Sequence, residues 1–341
     1  MTASPDNAPM DQKEPDKKSG VPKWVRFAVS FGLLAIILIK VDVRPLITLV
    51  AGASVPLVAL SFVMIFIDQA VTALAWGRML AAAGYIIPYK DMLRVTLASD
   101  FIGLALPSGM GADVVRVIGL SRYIKNSSHA LSSLFAFRVM GLGQTITIAA
   151  VVMVFFSGAL PRDHMFSVMR VVVIGLFLAG ALSLLFLGAI ERYLERVAPH
   201  TRLEPLMIKI RDLYTTFLFY LRHKDALAAA FIGDLYVQFA KILSIYIVAM
   251  ALGFSVPAAA FFILVPLANI AVLLPVSVAG LGVREGAYVV LFSHVGLDPA
   301  QCLTMSLLGF GVNMLCVAAG GFVYLVFGFP NNEGLKRSGA L

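Results

Sequence analysis

The chain alternates between long apolar runs and short polar loops that are rich in lysine and arginine. A helical run of roughly 20 apolar residues matches the ~30 Å hydrocarbon core of a bilayer. Six runs reach or approach this length and predict full spans at residues 24–39, 55–80, 130–157, 168–190, 226–252 and 302–327. Because helices satisfy their own backbone hydrogen bonds inside lipid, the pattern predicts an all-α, polytopic helical membrane protein.

Two further apolar segments, residues 89–120 and 257–296, are each interrupted by a break rich in Pro or Gly. The halves on either side of each break are too short to cross a bilayer alone. A helix pair that enters and leaves on the same side explains such a segment when protein shields the broken backbone. Each segment is therefore predicted to be a broken or re-entrant helix pair.

The two breaks have similar sequences, LPSGMGADVVR at 106–116 and LPVSVAGLGVR at 274–284. Leu-Pro opens both and Val-Arg closes both, and their break residues are Pro107, Gly109 and Gly111, and Pro275, Gly280 and Gly282. Because three predicted spans separate them, the second pair is predicted to enter from the opposite side, as in the inverted repeats of transporters. The alternative is that Leu-Pro followed by Gly is ordinary turn chemistry.

The polar stretches set the expected domain limits. Residues 1–23 contain few apolar side chains and are predicted to be a disordered cytoplasmic tail. Residues 24–328 form a single transmembrane domain, and residues 329–341 a second cytoplasmic tail. Residues 191–224 interleave charged and apolar positions at helical spacing, which predicts an amphipathic linker on the inner membrane surface. Residues 42–54 are predicted to be an interfacial piece.

Composition and charge agree with a membrane location. The chain is 60% hydrophobic and 13% charged, and its net charge is +8. With the N-terminus in the cytoplasm, twenty Lys and Arg fall on the inner side and four on the outer side. This is the distribution of the positive-inside rule, so both termini are expected in the cytoplasm. The positive charge is assigned to orientation and lipid contact, and no nucleic-acid partner is implied.

Ionisable side chains at membrane depth are costly and therefore mark candidate sites. Arg138, Lys241, Arg284 and Arg116 are predicted to form a cationic set that receives a phosphate headgroup, because arginine binds phosphate bidentately. The remaining candidate substrate-binding residues are polar neighbours: Glu285, Asp113, Asp100, Asn269, Gln144, Gln238 and Asp234.

A structural explanation of the same residues is left open. Lys241 then pairs with Asp234 or Asp68, and Arg138 pairs with Glu285, as buried ion pairs that lock the bundle. Arg116 lies near the inner membrane surface on this topology and is then a charge that sets the orientation.

Motifs of enzymes and metal sites are absent from the sequence, which has no HExxH, GxSxG, GxxxxGK[ST] or CxxC. No cofactor, metal or catalytic residue is predicted, and the chain is not expected to be an enzyme. Cys302 and Cys316 are too far apart on one helix to bridge and are predicted to be packing residues. Trp76 and Tyr89 are predicted to lie in the aromatic belt at the membrane interface.

The two break motifs, with Trp76, Arg78 and Leu80 and the segment FRVMGL at 137–142, resemble a known family. It is the lysylphosphatidylglycerol synthase transmembrane region family, also called the flippase-like or UPF0104-type family. The resemblance extends over roughly residues 24–327, and Gly-Val-Arg-Glu-Gly at 282–286 is its more specific part. One departure is Phe137, which stands where an acidic residue usually precedes the arginine of the middle motif.

In bifunctional relatives this module translocates an aminoacylated phospholipid that a separate cytoplasmic domain makes, and no such synthase domain is found here. The resemblance implies transbilayer movement of a phospholipid or of an isoprenoid- or hopanoid-type lipid in the bacterial inner membrane. The alternatives are a membrane-embedded lipid-modifying transferase and a non-transporting scaffold of a lipid-biosynthesis complex. The expected partners are membrane lipids with an anionic or phosphate-bearing headgroup, and the protein partners left open are a second copy of the chain or a lipid-biosynthesis enzyme.

Overall fold

The computed structural model describes residues 43–104, 111–120, 123–124, 127–156, 164–186, 219–220, 222–272 and 281–329. Apart from a short 3-10 turn at Ser293–Val295, the regular elements in these ranges are α-helices. They are α1 (Val43–Ala51), α2 (Val55–Ala82), α3 (Tyr89–Leu104), α4 (Gly111–Leu120), α5 (Ser127–Phe155), α6 (His164–Leu185), α7 (Lys224–Ala251), α8 (Ala258–Val272), α9 (Val283–Phe292) and α10 (Pro299–Phe327).

Five of these helices, α2, α5, α6, α7 and α10, are long and apolar enough to cross a membrane. They confirm five of the six predicted spans with ends shifted by a few residues, and they confirm an all-α polytopic protein. The sixth span at residues 24–39, the tail at 1–23 and most of the linker at 191–224 lie outside the described residues, as do residues 330–341. The predicted interfacial piece contains helix α1, and its place at the membrane interface stays a prediction.

The two interrupted segments are helix pairs, as predicted. Helices α3 and α4 have 16 and 10 residues and pack on each other, and α8 and α9 have 15 and 10 residues and do the same. At 1.5 Å per residue these helices are about 24 and 15 Å long, so each is shorter than the ~30 Å hydrocarbon core. Of the break residues, Pro107, Gly109, Pro275 and Gly280 lie outside the described part of the chain. The opposite orientation of the two pairs stays a prediction.

Glycines let the helix backbones approach closely around the first pair. A Cβ added at Gly103 of α3 would lie 2.5 Å from the backbone nitrogen of Ala112 in α4, and one at Gly320 of α10 would lie 2.4 Å from the carbonyl oxygen of Leu97 in α3. Small residues at such crossings are how membrane helices gain packing energy without a hydrophobic driving force. The first pair is therefore fixed against α10.

Helices α5 and α10 lie between the two broken pairs. Helix α5 contacts α4 and α8, whereas α10 contacts α3 and α9. The most extensive contact in the bundle joins α2 to α7, where the hydroxyl oxygens of Ser61 and Ser244 lie 2.7 Å apart. Helix α5 therefore contacts one helix of each broken pair.

Two predictions about individual side chains have different outcomes. Trp76 is 1% exposed, and its indole nitrogen donates to the hydroxyl of Ser133 at 3.2 Å, so the prediction of an interfacial position is wrong. Its ring fills the core between α2 and α5, where a buried indole needs such a partner. Cys302 and Cys316 are buried free thiols, which confirms their packing role.

Candidate functional site

Arg116 of α4 lies inside the first broken pair, between two carboxylates. Its Nη2 atom is 2.8 Å from Oδ1 of Asp100 in α3, and its Nη1 atom is 3.4 Å from Oδ1 of Asp113, one helical turn earlier in α4. The Arg116 side chain is only 8% exposed. Arg116 is therefore buried between carboxylates of α3 and α4, and its role as a charge that sets the topology near the inner membrane surface stays a prediction.

Arg138 of α5 binds the other side of Asp113. Its Nε donates to Oδ2 at 3.0 Å and its Nη2 donates to Oδ1 at 2.7 Å, which is the bidentate geometry that arginine favours with carboxylates. The pairing of Arg138 with Glu285, left open from the sequence, is wrong. Arg138 lies eight residues into the span that begins at Ala130, about 12 Å along the helix axis. Its side chain is nevertheless 53% exposed at that depth.

These four residues form a chain of alternating charge from Asp100 through Arg116 and Asp113 to Arg138. Two carboxylates and two guanidinium groups make the chain neutral. Asp113 has two arginine partners, whereas Arg138 has Asp113 alone among the carboxylates of the described residues within 4.0 Å. This charge chain therefore ends at Arg138, whose side chain is half-exposed.

The residue before Arg138, which departs from the family pattern, is buried in an apolar cluster. Phe137 is 6% exposed and packs in a core cluster with Met79 and Tyr220. An acidic side chain at this position would point into that apolar cluster. The carboxylate that Arg138 needs is supplied from α4 by Asp113.

A second polar group lies between α2, α5 and α7. Asp234 of α7 is 3% exposed and accepts from the amide of Gln238 at 3.4 Å. A Cβ added at Gly141 of α5 would lie 3.0 Å from Oδ2 of Asp234, so this glycine leaves room for the carboxylate. Lys241 acts electrostatically on Asp68 and Asp234. In the described ranges, however, no carboxylate lies within 4.0 Å of Lys241, so neither ion pair expected for it is formed.

Gln144 joins α5 to α7, because its amide nitrogen donates to the carbonyl of Phe231 at 2.9 Å. Its amide oxygen and Oδ1 of Asp68 are buried without a hydrogen-bond partner in the part of the chain that the structure covers. Buried polar atoms are normally paired, and each unpaired one requires an explanation.

The two polar groups belong to one electrostatic network. The charge of Arg138 interacts with Asp100 and Asp234 as well as with Asp113, and Asp68 interacts with Asp100 and Arg116. The network contains Asp68, Asp100, Asp113, Asp234, Arg116, Arg138 and Lys241, so carboxylates outnumber cations by one. Three of the four predicted cations, Arg116, Arg138 and Lys241, therefore lie among acids and do not form a purely cationic surface.

Arg284 and Glu285 begin the second half of the other broken pair. Glu285 is fully buried: Oε2 accepts the backbone N–H of Gly282 at 2.6 Å, and Oε1 accepts Nη2 of Arg284 at 2.5 Å. Gly282 has φ +83°, a conformation that a residue with a Cβ rarely adopts. Arg284 also lies over the ring of Phe310 at 4.4 Å, and Ser306 contacts Oε1 of Glu285 at 3.4 Å. The Gly-Val-Arg-Glu-Gly motif therefore builds a self-capped helix start.

The structure joins four of the predicted residues by successive contacts, in the order Asp100, Arg116, Asp113 and Arg138. It also places Asp234 in contact with Gln238. Arg284 and Glu285 contact each other, and Asn269 lies exposed on α8. Sequence reasoning missed Gly141, Ser306 and Phe310. Their roles arise from contacts between helices distant in the chain, and nothing in their local sequence indicates them.

The comparisons with known proteins agree with this architecture. The family model described as the lysylphosphatidylglycerol synthase TM region matches residues 23–321. A UPF0104 membrane protein from Pyrococcus horikoshii is 23% identical over 308 residues, covering 84% of this chain and 91% of that protein. No solved structure gives a significant match. The chain therefore belongs to the lysylphosphatidylglycerol synthase transmembrane region family.

Proposed function

We propose that the protein moves a lipid with a phosphate-bearing headgroup between the leaflets of the bacterial inner membrane. The lipid class is a phospholipid or an isoprenoid- or hopanoid-type lipid, and both termini lie in the cytoplasm. The observation that carries the proposal is Arg138, an arginine at membrane depth whose side chain is 53% exposed. A cation in that position is retained in membrane proteins mainly where a ligand or an ion pathway requires it.

The charge chain supports exchange of Arg138 between two anions. When a phosphate oxygen displaces Asp113 from Arg138, Asp113 keeps Arg116 as a partner at 3.4 Å. Arg116 in turn keeps Asp100 at 2.8 Å. Leaving a buried charge without any partner costs roughly 3–5 kcal/mol, and this arrangement avoids that cost. A headgroup can thus bind Arg138 without stranding a carboxylate.

Lys241 supplies a second cation on the proposed path. If α5 and α7 both begin at the inner surface, Arg138 lies eleven residues along α5 and Lys241 lies seventeen residues along α7. These spacings correspond to about 17 and 26 Å along the helix axes. Since Lys241 has no close carboxylate in the described ranges, it is available to take the phosphate deeper into the membrane.

Reconstitution into vesicles tests the proposal. Purified protein should accelerate the transbilayer movement of at least one labelled lipid from a panel with phosphate-bearing headgroups. Arg138→Gln and Lys241→Gln should each slow this movement at least tenfold. Arg94→Gln is the matched control, since Arg94 also has a carboxylate nearby, Asp91 at 3.7 Å, and lies over the Phe327 ring outside the network. If the wild-type protein gives no acceleration over empty vesicles for the whole panel, the proposal is wrong.

The other function classes predict different outcomes in cells. A transferase would change the masses of membrane lipids in a deletion strain, whereas a transporter changes their distribution between leaflets. A scaffold would keep its activity when Arg138, Lys241 and Arg284 are all replaced by Gln, and a transporter would lose it.

A further inference from the structure

A cavity of about 620 Å³ opens where the end of α2 meets the start of α7, away from the charge chain described above. Three cationic side chains line it: Arg78 from α2, Lys224 from the first position of α7, and Arg222 just before that helix. Asp225 is the carboxylate among its lining residues. With His223 neutral, the lining carries a net charge of +2.

Among the described residues, the three cations have no close acidic partner. All three are exposed, and in the ranges that the structure describes none has a carboxylate within 4.0 Å. The arginines of the interior differ, because Arg116, Arg138 and Arg284 each have an acidic partner. Among the residues that the structure describes, the lining therefore has an excess of positive charge, which favours a bound anion.

The position of the cavity along the two helices puts it at headgroup level. Helices α2 and α7 both have 28 residues, and each is therefore about 42 Å long. This exceeds the ~30 Å hydrocarbon core, so the ends of the pair extend into the polar headgroup region. Arg78 and Lys224 belong to the side on which the positive-inside distribution places the cytoplasm.

Alanines supply the apolar part of the lining. Ala82 of α2 and Ala229 of α7 are among the residues that face the cavity between the helices. Their small side chains leave room that longer residues would fill. The cavity thus combines a cationic rim with an apolar wall, which matches the boundary between a phosphate and the start of its acyl chains.

We propose that this cavity binds the phosphate of an anionic phospholipid from the inner leaflet, with Arg78, Arg222 and Lys224 as its ligands. Basic pockets between transmembrane helices on the cytoplasmic side recognise anionic headgroups by this chemistry. The site is separate from Arg138 and does not rest on the protein being a transporter. It holds a lipid that stays bound at the inner end of the α2–α7 pair.

The test uses full-length protein in neutral detergent, titrated separately with short-chain phosphatidylglycerol, short-chain phosphatidylcholine and inorganic phosphate. The readouts are the apparent melting temperature and retention of lipid in native mass spectrometry. Phosphatidylglycerol should raise the melting temperature and be retained. In the triple variant Arg78→Gln, Arg222→Gln, Lys224→Gln, its apparent Kd should weaken roughly 100-fold, since each basic residue near a membrane surface contributes about a fivefold step.

Two further variants make the result specific. Lys13→Gln, Lys17→Gln and Lys18→Gln together remove the same charge from the N-terminal segment and should leave the Kd unchanged. Asp225→Asn removes the carboxylate of the lining and should tighten binding. An equal response to phosphatidylcholine, an equal response to inorganic phosphate, or an unchanged Kd in the triple variant would each overturn the proposal.

Discussion

Replacing Arg116 by Gln tests whether the charge chain stabilises the first broken pair. The change removes the partner of Asp100, whose side chain is 17% exposed and lies 2.8 Å from the guanidinium. At an effective dielectric constant of about 20, a pair at this distance interacts by about 6 kcal/mol. Desolvation offsets part of this, and removal of one partner of a buried pair costs roughly 3–5 kcal/mol. Asp113 keeps Arg138, so the loss is centred on Asp100.

The assay is the free energy of unfolding in detergent micelles, followed by loss of helical circular dichroism during titration with a denaturing detergent. Arg116→Gln should lower it by about 3–5 kcal/mol. The double variant Asp100→Asn, Arg116→Gln removes the stranded charge and should recover most of that loss. Lys90→Gln, at an exposed position on α3, is the control and should change stability by less than about 0.5 kcal/mol. A double variant no more stable than Arg116→Gln would refute the reasoning.

Three further changes probe packing and capping. Gly320→Ala places a methyl 2.4 Å from the Leu97 carbonyl oxygen and should lower the free energy of unfolding by about 1–3 kcal/mol. Gly311→Ala on the same helix meets open space and should lower neither this free energy nor the melting temperature. Equal melting temperatures for the two variants would contradict this. Glu285→Gln leaves Arg284 without its carboxylate and should lower the free energy of unfolding by roughly 3–5 kcal/mol. The backbone amide of Gly282, which donates to Glu285, should then exchange its hydrogen faster. Unchanged exchange at this amide would argue against the cap. Trp76→Phe removes one buried hydrogen bond and should cost about 1 kcal/mol of unfolding free energy; a neutral result would mean that the bond to Ser133 contributes nothing.

Much of the fold follows from local properties of the chain. The lengths of the apolar runs predict the five spans seen in the structure, because a helix must be about 20 residues long to cross the hydrocarbon core. The Pro and Gly breaks at 106–116 and 274–284 predict the short helices on either side of each break. Both signals depend only on residues that are neighbours in sequence.

The partners of the charged residues could not be obtained in the same way. The sequence pairs Arg138 with Glu285 or with a substrate, whereas the structure places it on Asp113. For Arg116 the sequence suggests a headgroup ligand or a topogenic charge, and it does not indicate that Asp100 and Asp113 are its partners. A soluble helix shows which side faces the core through its apolar stripe. These spans are apolar on all sides, so the sequence does not indicate which faces meet.

The sequence by itself determined the membrane location, the number and kind of most helices, and the set of ionisable residues placed within the bilayer. The tertiary structure decided which of those residues touch. Close backbone approach at Gly103 and Gly320 sets the relative positions of α3, α4 and α10, and through them the carboxylates available to Arg116 and Arg138. The physical reason is that apolar length is a property of one segment, whereas an ion pair within 4 Å requires two segments to pack in one particular register.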